Sequence, residues 1–213
     1  MQMTGMKTTA AARAREIMGR NFFGVEEAVK GFKLEPAPAP PDALVTVPFS
    51  ERLLEESKDT HLLVAVLPLS ILDLRGKVDR TLFYNQTWYR SGNDSKSPEA
   101  FAQAPGEPSW QLVRKTAVPG SASKNWDEQL ALLGADEEVP EARVMIYATM
   151  ANYLATGERM FESDHARTST HGSAGLRVGM GDFDSHGLFL GAWWDEHRNV
   201  HLGLASAKKA ESA

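Results

Sequence analysis

Residues 165–203 carry five of the chain's six histidines and seven of its 17 glycines, and that density of glycine excludes a stable helix there. Each interior glycine costs a helix about 1 kcal/mol relative to alanine. Short strands joined by tight turns are what such a stretch can form. Segments 176–178, 187–190 and 200–204 alternate in the period-two manner of antiparallel strands. Glycine, histidine, aspartate, serine and aromatic residues gathered in one stretch also make the composition of a contact surface.

The earlier part of the chain reads as helices alternating with strands. Residues 8–18 and 25–32 are predicted as two short helices interrupted at Asn21-Phe22-Phe23-Gly24. Phe22, Phe23, Val25, Val29 and Phe32 give this pair an apolar surface with which to dock on the main body. Pro36-Ala37-Pro38-Ala39-Pro40-Pro41 can propagate neither a helix nor a central strand, so it is an extended connector. Residues 1–40 are thus a helical segment with its connector, and 41–213 form the main domain.

Within that domain, 44–47 reads as a strand and Ser50 as the cap of a helix over 51–57, with Leu53, Leu54 and Ser57 on one face. Residues 61–69 form a β run that continues as strand or turn through 71–75, and 81–89 is a further strand. A loop over 90–108 and a strand over 110–116 follow. Asn125-Trp126-Asp127-Glu128 has the spacing of a capping box, opening a helix with Trp126, Leu130 and Leu133 on one face. Pro140 and Gly157 frame the longest helix, with Val144, Tyr147, Ala148, Ala151, Leu154 and Ala155 as a core-facing stripe. The class is α+β, and no internal repeat is present.

Several function classes are excluded or disfavoured by composition. At 213 residues, the chain has the length of one domain with an appendage. It has 23 Lys and Arg against 28 Asp and Glu, a net charge of −5, so nucleic acid is not expected as a partner. The absence of cysteine removes disulfides, thiol nucleophiles and cysteine-bound metals. No apolar run reaches the roughly 20 residues of a membrane-spanning helix. The first 33 residues show no apolar core or cleavage site of a signal peptide, which leaves localisation unassigned.

The motifs that could carry chemistry are incomplete. His197 and His201 lie four apart, but 193–204 does not read as a helix and no Glu follows the first His as in metalloproteases, so no metal is expected. Asp182, Asp184, Asp195 and Glu196 lack the spacing of a calcium loop. No serine sits in a G-x-S-x-G turn, and Gly179-Met180-Gly181 is not a phosphate loop. No catalytic residue and no cofactor are assigned. On a strand, Trp193 and Trp194 point to opposite faces, so one can be core and the other a binding aromatic.

The order Arg177-Val178, Phe183-Asp184-Ser185-x-Gly187-Leu188, Trp194-Asp195-Glu196-x-Arg198 and Leu202-Gly203-Leu204-Ala205-Ser206-Ala207-Lys208-Lys209 resembles the end of variable proteins of diversity-generating retroelements. Earlier blocks fit the same family, among them Arg75-Gly76-Lys77-Val78-Asp79, Trp110-Gln111-Leu112-Val113-Arg114-Lys115-Thr116 and Ala155-Thr156-Gly157-Glu158-Arg159. The resemblance runs from about Ala14 to Lys209. It implies a C-type-lectin-like fold of the formylglycine-generating-enzyme branch, with two main helices packed on small antiparallel sheets. The catalytic cysteines of that enzyme cannot exist here, so its activity is excluded.

The function so implied is non-enzymatic ligand binding. In the family the chain resembles, a reverse transcriptase copies a template with errors at adenines and rewrites a C-terminal surface, which here would be about 165–209. The ligand-binding positions would be Gly179, Asp182, His186, Phe189, Gly191, Ala192, Trp193, His197, Asn199, Val200 and His201. All except Trp193 are residue types reachable from an Asn codon by changing adenines. Phe183, Asp184, Trp194, Asp195 and Arg198 would be scaffold, with Trp194 buried and Arg198 paired to an acid such as Asp184 or Asp195. Asp182, His186, Phe189, His197, Asn199 and His201 are expected to converge on one exposed patch. The partner would be a protein or cell-surface molecule bound by a monomer. The competing reading is an invariant carbohydrate-binding or glycan-processing module with His186, Trp193, Asp195 and Glu196 in its cleft.

Overall fold

The computed structural model describes residues 8–37, 39–84 and 98–211. It is a mixed α+β structure with three small sheets and, among these residues, seven α-helices. Strand β1 (Thr9–Ala10) leads into α1 (Ala11–Met18), then β2 (Phe22–Phe23) and α2 (Val25–Gly31). Beyond the proline run come β3 (Thr46–Val47), α3 (Glu51–Ser57), β4 (His61–Val66), α4 (Ile71–Lys77), α5 (Ala100–Gln103) and β5 (Ser109–Arg114). Helix α6 (Trp126–Leu130), β6 (Glu137–Glu138) and α7 (Ala142–Thr156) precede β7 (His165–His171), β8 (Arg177–Asp184), β9 (Gly187–Trp193), β10 (Leu202–Leu204) and β11 (Ala207–Lys208).

Local chemistry sets several helix ends. The Leu53 N–H donates to Ser50 Oγ, and Asn125 and Glu128 exchange the two bonds of a capping box. Gly157 ends α7 in the left-handed conformation (φ 76°), where a side chain would be strained. The same chemistry corrects the expectation of strand or turn over 71–75. Ser70 and Asp73 cap each other's backbone, and α4 begins there. The strand expected over 81–89 is replaced in its described part by a 3₁₀ turn at Arg80–Leu82 and a bridge from Phe83 to Leu188; residues 85–89 lie outside the described residues. The first part of the expected loop, 90–97, also lies outside them, and its later part contains α5.

Five strands, in the order β2-β4-β5-β11-β6, make the larger sheet, with β2 parallel to β4 and the remaining pairs antiparallel. The N-terminal segment is therefore woven in: β1 pairs with β3, and β2 edges the larger sheet. The second sheet has the order β10-β7-β8-β9, with β10 parallel to β7. The expectation of purely antiparallel sheets is corrected by these two parallel pairings. So is that of two main helices, because α7 spans 15 residues and α6 only five. Helix α7 lies between the two sheets and is buried on all sides from Ala142 to Asn152. Its buried surface is thus wider than the predicted stripe, while Leu154 and Ala155 at its end are exposed. No helix among the described residues is long and apolar enough to cross a membrane.

Candidate functional site

Strands β7, β8 and β9 carry one core face and one open face. Register pairs Arg167 with Gly179 and His165 with Gly181 across β7 and β8. Gly179 pairs with Gly191, Gly181 with Phe189 and Arg177 with Trp193 across β8 and β9. Because side chains alternate, the open face carries His165, Phe189 and Trp193 around glycines. Ala166, Val178, Met180 and Leu190 point the other way, into the core. Glycine is what lets the Trp193 ring lie down. A Cβ on Gly179 would meet the Ala166 carbonyl oxygen and the Trp193 indole, both at 2.8 Å, and one on Gly191 would strike the same indole.

The result is a cleft of about 490 Å³ lined by Ser163, His165, Asp182, Phe189, Trp193, Asn199, His201 and Leu202. His165 stands edge-on to Phe189 and Trp193, each with ring centroids 5.2 Å away. A bulge between Gly181 and Asp184 breaks the alternation, and Asp182 takes a left-handed conformation (φ 43°) there. Its carboxylate lies 3.5 Å from His165 Nε2. Asn199 and His201 arrive on the loop from β9 to β10, where Asn199 Oδ1 accepts from the His201 N–H at 2.8 Å. His201 Nδ1 lies 3.4 Å from Asp164. Burial holds the pKa of His165 below the usual imidazole range, against the opposing pull of Asp182 and Asp164. Among the described residues His165 Nε2 has no hydrogen-bond partner.

The loop is held from beneath by groups that do not enter the cleft. Arg167, fully buried, donates to the main-chain oxygens of Lys124, Trp194 and His197 and to Gln129 Oε1, at 3.2, 3.0, 2.6 and 3.0 Å respectively. Gln129 in turn donates to the carbonyls of Ser121 and Leu202. Arg177 forks Asp195 at 2.8 and 2.9 Å while stacking 3.4 Å above the Trp126 ring. That fork holds the Asp195 carboxyl below its usual range.

Of the six residues expected on one patch, Asp182, Phe189, Asn199 and His201 line the cleft together with Trp193. His186 does not: it sits exposed on the β8–β9 turn, bonded to Asp184, beside a separate groove with Arg75 and Tyr84. His197 and Val200 are exposed on the loop outside the cleft lining, and Ala192 lies on the opposite side of β9 from Gly191 and Trp193. Gly179 and Gly191 are buried floor and present no side chain to a ligand.

Among the scaffold residues, Phe183 is buried and Asp195 is fixed by Arg177. Two expectations are corrected. Trp194 is 62% exposed, because its backbone carbonyl, and not its ring, is what the framework holds. Arg198 does pair with an acid, but that acid is Glu128 of α6 and not Asp184 or Asp195, since Arg177 already occupies Asp195 and Asp184 caps the His186 turn. The competing cleft of His186, Trp193, Asp195 and Glu196 is not assembled either; only Trp193 lines it. Among the described residues no three His, Asp or Glu side chains are grouped to hold a metal ion.

Sequence reasoning missed His165, Arg167 and Gln129. The available signal was the alternation of His165 and Arg167 on a strand, which puts both on the face of the glycines. Gly191→Ala is expected to lift the Trp193 ring off the floor and cost about 1–3 kcal/mol through overpacking. Near-ultraviolet circular dichroism, with a thermal melt, reads both changes; an unaltered tryptophan signal would refute the stacking. Comparison with protein-family models, with curated proteins and with solved structures finds no match to the chain.

Proposed function

We propose that the protein is a non-enzymatic ligand-binding protein with a C-type-lectin-like fold, whose surface over about 165–209 is diversified by adenine-directed retroelement mutagenesis. One observation carries this reading. Asp182, Phe189, Asn199 and His201 come from separate segments to one open cleft, while the framework that shapes the loop grips mainly backbone oxygens. A carbonyl is present whatever residue bears it, so the cleft side chains can change without dismantling the fold. The mixed polar lining around two aromatic rings is that of adaptable recognition surfaces.

Two measurements test the proposal. The fourfold variant Asp182→Asn, Phe189→Tyr, Asn199→Asp, His201→Ser uses only residue types reachable from an Asn codon. Exposed substitutions lie within about ±0.5 kcal/mol each, and Phe189→Tyr keeps the half-buried ring, so this variant should lose no more than about 2 kcal/mol in denaturant unfolding. The locus should also hold a near-identical non-coding copy of the region for 175–209, differing at adenines, beside a reverse transcriptase gene. Without that copy, diversification is refuted and an invariant binding module takes its place. Unfolding of the fourfold variant would remove the physical basis of the proposal as well.

A further inference from the structure

We infer that the cleft receives an arginine side chain presented by a protein partner. This rests on the binding reading above and names its ligand class. The Trp193 indole lies across Gly179 and Gly191 and, with Phe189, supplies aromatic surface at the bottom of an open cleft. The Asp182 carboxylate, half exposed, lines the cleft, and that of Asp164, 58% exposed, lies outside the lining against His201. Their ion-pair neighbours among the described residues are the imidazoles of His165 and His201, and burial holds the pKa of His165 below the usual imidazole range. Two cations share this face of the sheet and both are engaged: Arg167 is fully buried and bonded to its four oxygens, and Arg177, opposite Trp193, is forked onto Asp195. The cleft therefore offers aromatic surface with negative charge left over.

A guanidinium matches both features, because it stacks flat on an aromatic face and forks a carboxylate, whereas an ammonium does neither as well. An anion would be repelled, and a neutral group would leave both carboxylates without a counter-charge. The partner is a protein because apolar surface continues outside the cleft. Trp194 and Val200, on the loop that also carries Asn199 and His201, are 62% and 67% exposed. Such side chains beside a charged pocket suit the flank of an interface anchored by one arginine.

The experiment follows the Trp193 indole N–H by NMR, assigned with Trp193→Phe, during titration of the whole protein. The probes are N-acetyl-arginine methylamide and its neutral isostere, the citrulline analogue. The arginine probe should bind roughly tenfold more tightly, the size expected of one stacked, partly screened ion pair. Asp182→Asn should erase that advantage while the protein stays folded, since asparagine tolerates the left-handed backbone as aspartate does. Equal binding of the two probes, or an advantage that survives Asp182→Asn with Asp164→Asn, would overturn the inference. N-acetyl-glutamate methylamide and methyl mannoside separate the two levels of failure. If either moves Trp193 and the arginine probe does not, the ligand class is wrong and the cleft remains a binding site. If no probe moves Trp193, the inference is overturned, and the binding reading loses its cleft too.

Discussion

Arg167→Met should lower stability by about 3–5 kcal/mol, which for a chain of this length is a fall of roughly 6–20 °C in melting temperature. Methionine fills much of the same volume, so the loss is not one of packing. It comes from three main-chain oxygens and the Gln129 amide oxygen, all losing a charge-assisted donor in a dry site. Burial lowers the pKa of this guanidinium, yet arginine stays charged far above neutral pH. The damage should be local first. Hydrogen exchange of the amides over 194–202 should accelerate before that of β4 and β5, because Arg167 holds the loop and the larger sheet does not depend on it. A melt within about 1 kcal/mol of the parent would show that the loop keeps its shape without the guanidinium.

Acidification from pH 7 to 4.5 should remove about 2–3 kcal/mol through His61 alone. This side chain is buried in β4, opposite Arg114, with Lys208 nearby. Its Nδ1 is 2.8 Å from Thr60 Oγ1, and Nε2 has no partner. Burial, and then the two cations, push its pKa down to about 4, from about 6.5 in an unfolded chain. Between those values the unfolded state takes up a proton that the folded state refuses, so stability falls as pH drops through 6.5 towards 4. His165 shifts in the same direction, so the His61 share is obtained by subtracting the loss measured in His61→Gln. Asp195 acts in a lower window. Its folded pKa is depressed by Arg177, so its contribution persists above the ordinary aspartate pKa and is lost only as pH falls further. Equal acid losses in His61→Gln and the parent would remove His61 from the account.

Local rules made much of the framework legible in the sequence. Ser50, the Asn125–Glu128 box and Gly157 mark helix ends because a cap is satisfied within a few residues of itself. The strands of 165–204 are legible for the same reason, since period-two alternation and glycine-rich turns are short-range properties. Even the missed helix α4 had its signal in Ser70 and Asp73, overshadowed by the apolar run ahead of it. The tertiary structure alone decided which way each side chain of the site points. Register against Gly179 and Gly191 lays Trp193 on the sheet, and Trp194 falls outside it because β9 ends there. Arg198 finds Glu128, 70 positions away, and Arg167 holds carbonyls up to 43 positions away. Those choices depend on which chain segments meet in space, and no pattern of neighbouring residues encodes that meeting.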